Sequence, residues 1–239
     1  MSRLHVLRVF LGPNGGDGNP LGVFLEGHAI QPDRRQGVAH ELGFSETVFV
    51  DEVTETSARI AIYTPGTELR FAGHPTVGTS WLLAQVGMPV ATLHVRAGDV
   101  VTWQQGDLTW IRARAAWVHD MEIRQYATSA EVDALRPGDP GDPGLYAWAW
   151  EDEAVGRLRS RYFPTDLGIV EDEATGAAAV VMGDRIGRSL TIRQGIGSEL
   201  LVQPDPAAGT VDVGGRCRLE EIRDLDGMTH PFTIRPGTS

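Results

Sequence analysis

The chain has 239 residues, 41% of them apolar and 22% charged, with a formal net charge of −11. That length builds one large domain or two small lobes around a proper core, and the acidic excess argues against nucleic acid and anionic membrane surfaces as partners. The single cysteine, Cys217, excludes an intrachain disulfide and a cysteine metal cluster, and it fits a reducing cytoplasm.

Met1-Ser2-Arg3-Leu4 leads straight into a strand-like run, so no signal peptide is expected. No stretch is apolar for long enough to span a bilayer. Leu4–Leu11 reads as a strand, followed by a glycine-rich loop over Gly12–Pro20. That loop fits neither the P-loop nor the dinucleotide fingerprint. Leu21–Leu25 is the next strand, and Pro32–Leu42 is a helix with Asp33 early and Gly43 as its stop signal. Phe44-Ser45-Glu46-Thr47 forms a loop into a strand at Val48–Glu52, and Arg59–Thr64 alternates as another strand.

The stretch Glu68–Leu83 (ELRFAGHPTVGTSWLL) follows. Pro75 suits a first helical turn, and Val77, Trp81, Leu82 and Ala84 recur at helical spacing behind it. Gly73 and Gly78 leave little bulk near this helix start, where free N–H groups attract carboxylates and phosphates.

Short strands are expected at Ala91–Val95, Val100–Gln104, Leu108–Ala113 and Ala116–Ile123, the last at a lobe boundary. Arg136–Gly144 (RPGDPGDPG) is a loop by its proline and glycine density. Strands follow at Leu145–Trp150 and Leu158–Tyr162, and Thr175–Ile186 is a second apolar helix. The chain closes with strands at Ser189–Arg193, Leu200–Gln203, Thr210–Val213, Arg216–Ile222 and Phe232–Ile234.

Many short strands with two isolated apolar helices imply an α+β fold in which a sheet curls around each helix. Tyr63, Pro65 and Thr76 recur at one offset as Tyr162, Pro164 and Thr175, which suggests two copies of a barrel-around-a-helix unit. The lobes are expected at 1–114 and 115–227, with a terminal strand in 228–239 able to return to the first. At the same offset Asp172 stands opposite Gly73.

On this frame His74 lies at the mouth of the first helix, and Asp172 lies near the second. With Glu46 they supply two carboxylates and an imidazole around a cleft, which suffices for general acid–base chemistry. Each residue also has a structural reading: His74 as a satisfied buried polar group, Glu46 as a surface acid, Asp172 as a helix cap. The other histidines form no spaced metal pattern, and Cys217 reads as a structural thiol.

Gly18-Asn19-Pro20-Leu21, Ser45-Glu46-Thr47-Val48-Phe49-Val50, Tyr63-Thr64-Pro65, Glu68 to Thr76, and Glu171-Asp172-Glu173-Ala174-Thr175-Gly176 occur in the order seen in phenazine-biosynthesis PhzF-type isomerases, and Arg193-Gln194-Gly195 is similar to a late motif of that family. The resemblance implies a diaminopimelate-epimerase-like fold of two barrel-and-helix lobes with the site between them, a homodimer, and no metal or organic cofactor. The activity it implies is an acid–base proton shift on a small carboxylate-bearing substrate, as in isomerisation of trans-2,3-dihydro-3-hydroxyanthranilate. By motif position, Glu46 moves the proton, and His74 and Asp172 complete the catalytic set. Asn19, Gly73, Pro75, Thr175, Gly176 and Ala177 are the implied substrate contacts, with Gly73 and the backbone near Gly176 receiving the carboxylate.

Where the family usually has proline and serine, this chain has Glu173 and Ala177. The lost hydroxyl removes a substrate contact, and Glu173 adds negative charge near an anion site. A non-catalytic carboxylate-binding protein of this fold, or a lyase or hydratase using the same acid, are the alternative readings.

Overall fold

The chain runs through one plan twice. The structure is a computed structural model that describes residues 3–224. In the first run, β1 (Arg3–Val9) leads to β2 (Asn19–Phe24), α1 (Pro32–Leu42), β3 (Glu46–Val53), β4 (Ser57–Tyr63) and the two-residue β5 (Glu68–Leu69). The run continues through α2 (Gly73–Gln85), β6 (Thr92–Val95), β7 (Gly98–Gln105) and β8 (Leu108–Ala113). The second run comprises β9 (Glu122–Gln125), α3 (Ser129–Ala134), β10 (Leu145–Asp152), β11 (Arg157–Phe163) and α4 (Gly176–Ile186). It ends in β12 (Leu190–Gln194), β13 (Ser198–Asp205) and β14 (Thr210–Gly215), after which β15 (Cys217–Asp224) follows.

The correspondence is topological. β2 pairs parallel to β3 across α1, as β9 pairs parallel to β10 across α3. β3 and β4 form an antiparallel pair, as do β10 and β11, and both pairs carry a register shift, between Val50 and Glu52 and between Trp150 and Asp152. β4 then pairs parallel to β6 across α2, and β11 parallel to β12 across α4. Each run closes with an antiparallel meander. β8 pairs with β14, so the two halves share one continuous sheet.

Each half curls around its own apolar helix. Helix α2 packs on β1, β2, β3, β7 and β8, while α4 packs on β13 and β14. Val77, Leu82 and Leu83 of α2 and Ala178, Ala179, Val180 and Met182 of α4 belong to one buried cluster with the strands around them. Burying such side chains stabilises by about 1.5–3 kcal/mol each for the larger aliphatics. This gain replaces the weak intrinsic stability of short helices. Helices α1 and α3 lie outside the curl, on β3 and β4 and on β10 and β11. Helix α1 stops at Gly43, whose φ of 68° suits glycine. Helix α3 starts with a capping box between Thr128 and Glu131.

Four expectations need correction. The strand expected at Ala116–Ile123 is a 3-10 turn at Ala115–Trp117, and β9 begins only at Glu122. The apolar run there is used in packing instead: the Trp117 ring lies 5.8 Å from that of Phe71. Residues 217–224, assigned by sequence to the second lobe, pair antiparallel with β1 of the first. Glu46 opens β3 rather than sitting in a loop, because its backbone pairs with Leu21 of β2.

The constant repeat offset also fails. Asp172 bridges Tyr162 just as Glu68 pairs with Tyr63, and Gly176, not Asp172, starts the second helix as Gly73 starts the first. The loop before α4 is longer than its counterpart, so one offset cannot serve both the strands and the helices. The expected strand at Phe232–Ile234 and the returning segment 228–239 lie outside the described residues.

Candidate active site

The N-termini of α2 and α4 meet backbone to backbone. A methyl built on Gly73 would lie 2.6 Å from the carbonyl carbon of Gly176, and one on Gly176 would lie 2.8 Å from that of Gly73. Only glycine permits this approach. Neither N-cap residue, Ala72 or Thr175, caps its helix with its own side chain. Two positive helix ends therefore converge at one buried point, which favours an anion there.

The side chains around this point come from five elements. Asn19 opens β2, Glu46 opens β3, His74 is the second residue of α2, Asp172 precedes α4, and Gln194 ends β12. Asn19, His74 and Asp172 are all buried. The His74 Nδ1 lies 3.2 Å from Glu46 Oε2, whose side chain is 12% exposed. The two atoms are close but not aligned as a hydrogen bond: Glu46 Oε2 and His74 Nε2 are both buried without a hydrogen-bond partner among the described residues. Ten buried side-chain atoms lack a partner in this way among the described residues, and these two belong to side chains that face each other across 3.2 Å.

Asp172, by contrast, is fully engaged. Its Oδ1 accepts from Asn19 Nδ2 at 2.7 Å, and its Oδ2 accepts from the Thr175 hydroxyl at 2.5 Å. Asn19 also donates to the Ala174 carbonyl at 2.9 Å, and its own oxygen accepts from the Ser45 hydroxyl at 3.2 Å. Asn19 thus ties the first lobe to the segment that carries Asp172.

Burial governs the protonation of all three ionisable groups. It pushes Glu46 up to about 7. It does the same to Asp172, also to about 7, with the nearby Glu46 charge adding to the effect. It pushes His74 down to about 4, against the pull of Asp172. Two carboxyls in one dry site cannot both ionise freely, so they titrate as a coupled pair. Near neutral pH the site holds a neutral imidazole and a carboxyl pair able to take up or release a proton, which is the equipment of general acid–base chemistry.

The structure brings Glu46, His74 and Asp172 together with Asn19, Gly73, Thr175 and Gly176. Ala177 is buried as the second residue of α4, and Pro75 is buried in the first turn of α2, where it offers no N–H. The Thr175 hydroxyl and backbone N–H are taken by Asp172 and Gln194, and the Asn19 amide is likewise spent within the protein.

Glu173 does not project a free charge toward the helix ends. Its carboxylate accepts from the Ile196 N–H at 2.9 Å and from the Ser198 hydroxyl at 2.9 Å, and Ser198 in turn accepts from the Gly18 N–H at 3.0 Å. Sequence reasoning gave no role to Gln194, although a signal was present. Leu190, Ile192 and Gln194 share the buried face of β12, so a glutamine stands where the alternation calls for an apolar residue.

The chain is similar in sequence and in fold to known proteins. The profile described as PhzC-PhzF, phenazine biosynthesis-like protein, matches residues 12–132. An uncharacterized isomerase of Pasteurella multocida is 43% identical over 221 residues, covering 75% of this chain and 75% of the relative. The trans-2,3-dihydro-3-hydroxyanthranilate isomerase of Pseudomonas fluorescens is 30% identical over 224 residues, covering 77% of this chain and 80% of the relative. In overall fold the chain is similar to a crystallised PhzF-family protein of Bacillus anthracis, with a TM-score of 0.73 at 20% identity, over 93% of this chain and 98% of that one.

Proposed function

The chain belongs to the PhzC-PhzF family of phenazine-biosynthesis-like proteins, and from that premise we propose that it is an isomerase that moves a proton between two carbons of a small carboxylate-bearing substrate. The observation that carries this reading is the pair of orphaned buried atoms, Glu46 Oε2 and His74 Nε2, beside two converging helix starts. A substrate supplies what is missing at each. Its carboxylate takes the N–H groups near Gly73 and Gly176, where the helix dipoles favour negative charge. Its reacting carbon takes the place beside Glu46.

In this reading the ionised Glu46 carboxylate removes a proton from one carbon, and the electron pair left behind delocalises into the substrate's unsaturated system. Glu46, now protonated, returns that proton to another carbon, so the product is an isomer and no atom is gained or lost. Neutral His74 donates or accepts a hydrogen bond as charge builds on the substrate, and Asp172 stays in place as a fixed acceptor. The relative from Pseudomonas fluorescens makes trans-2,3-dihydro-3-hydroxyanthranilate the first substrate to try.

The test is turnover of that compound, and of related cyclic and amino-acid carboxylates, in D₂O by wild type and Glu46→Gln. Wild type is expected to convert one of them, with deuterium entering the product carbon only as far as protonated Glu46 exchanges with solvent before it returns its proton, and Glu46→Gln to be slower by at least ~10²-fold. Equal turnover by the two proteins would overturn the assignment.

A further inference from the structure

The hydrogen-bond directions around Asp172 follow from backbone groups whose polarity is fixed. The side-chain oxygen of Gln194 accepts from the Thr175 backbone N–H at 3.1 Å, and its nitrogen donates to the Asp172 backbone carbonyl at 2.9 Å. A flipped amide would set donor against donor and acceptor against acceptor, so the orientation of Gln194 is determined. The second hydrogen on the Gln194 nitrogen meets the Thr175 hydroxyl oxygen at 2.7 Å. The hydroxyl therefore accepts from Gln194, and its one hydrogen goes to Asp172 Oδ2. On the opposite side the Ala174 carbonyl fixes the Asn19 amide in the same way, so that Asn19 donates to Asp172 Oδ1. Gln194 is fully buried and makes no contact that needs a substrate.

We propose that Gln194 is a positioning residue that sets the direction of the Thr175 hydroxyl and thereby keeps Asp172 a hydrogen-bond acceptor held by a donor on each oxygen. The proposal rests on the reading of Asp172 as part of the active site. It assigns the late Arg193-Gln194-Gly195 segment a task the proton-transfer scheme does not mention. Without Gln194 the Thr175 hydroxyl is free to turn toward the vacated Asp172 backbone carbonyl, and the Asp172 carboxylate loses one of its two donors. Asp172 then competes with Glu46 for the proton that Glu46 must move.

The test reads Asp172 directly, so its outcome is separable from that of the isomerase assignment. Protein labelled with ¹³C at the aspartate carboxyls is titrated by NMR, and the Asp172 signal is identified by its loss in Asp172→Asn. Thr175→Val and Gln194→Leu are each expected to move the Asp172 titration upward by about one pH unit. The double variant is expected to move it no further than either single one, because both act through one hydroxyl. Thr175→Ser, which keeps the hydroxyl, is expected to titrate as wild type. Gln194→Met, which keeps length without donors, serves the same purpose if Gln194→Leu fails to fold. An Asp172 titration unchanged in the Gln194 variants, or shifts that simply add in the double variant, would overturn the proposal.

Discussion

Gly73 and Gly176 touch through their backbones, and each occupies the space that a side chain on the other would need. This contact holds the two helix starts at one point, and neither residue has a flexible neighbour that can yield. Gly73→Ala is therefore expected to destabilise the protein by about 3 kcal/mol and to separate the helix ends. Denaturant unfolding measures the first effect. The second appears as weaker carboxylate binding in those variant molecules that remain folded. A Gly73→Ala protein as stable as wild type would show that the contact is looser than described.

The raised Glu46 carboxyl makes stability depend on pH. The folded protein holds this proton up to about 7, whereas the unfolded chain releases it near its ordinary value of 4.5. Between those values the folded state binds more protons, so stability from this group falls as pH rises, and the loss is complete above about 7. Glu46→Gln removes the loss. At pH 8 the variant should be more stable than wild type by about 1–3 kcal/mol, and below pH 4.5 the difference should nearly vanish. The raised Asp172 acts in the same direction as Glu46, and because the Glu46 charge adds to its rise its share also shrinks in Glu46→Gln, whereas the lowered His74 costs stability as pH falls from 6.5 toward 4 and is present in both proteins. Thermal unfolding across pH 4–9 checks the sign.

Parts of this site were legible in the sequence and parts were not, for physical reasons. Gly73, His74 and Pro75 announced a helix start, because proline and glycine constrain the backbone locally and an apolar helix follows. The strands around α2 and α4 could be inferred from length and alternation. The partner of β15 could not, since its pairing with β1 joins the two ends of the described chain and leaves no local period. The offset of the repeat misled for a similar reason: the loops before the two helices differ in length, and strands and helices cannot both keep register. Glu46 stood out through its motif alone. Gln194 was visible as a polar residue on the buried face of β12, but only the folded chain shows that it meets Thr175 and Asp172.

Glu173 replaces a family proline with a carboxylate, and its surroundings say where that charge acts. Backbone N–H groups of Ile196 and Gly197 and the Ser198 hydroxyl receive it, and Ser198 links it to Gly18 of the first lobe. Its charge is thus met locally instead of opposing an anion at the helix ends. Glu173→Ala should cost about 1–2 kcal/mol of stability through these lost bonds, while KM for a carboxylate substrate changes by less than about twofold. A tenfold drop in KM would mean that the charge reaches the site after all.

Ala177 is the departure with the most direct bearing on substrate choice. It is buried beside Gly176 in the first turn of α4, where a serine would place a hydroxyl. In the ligand-free protein Ala177→Ser would bury a hydroxyl with no assured partner, costing about 1 kcal/mol. A bound carboxylate would supply that partner through a charge-assisted bond of about 1.5–3 kcal/mol. The variant should therefore unfold at a lower temperature than wild type when empty, yet gain more from saturating carboxylate, with affinity tighter by roughly 10–100-fold. Thermal unfolding with and without a panel of aromatic and amino-acid carboxylates measures both effects. If Ala177→Ser binds every member of the panel as wild type does, the substrate carboxylate lies elsewhere, and the helix starts are not its seat.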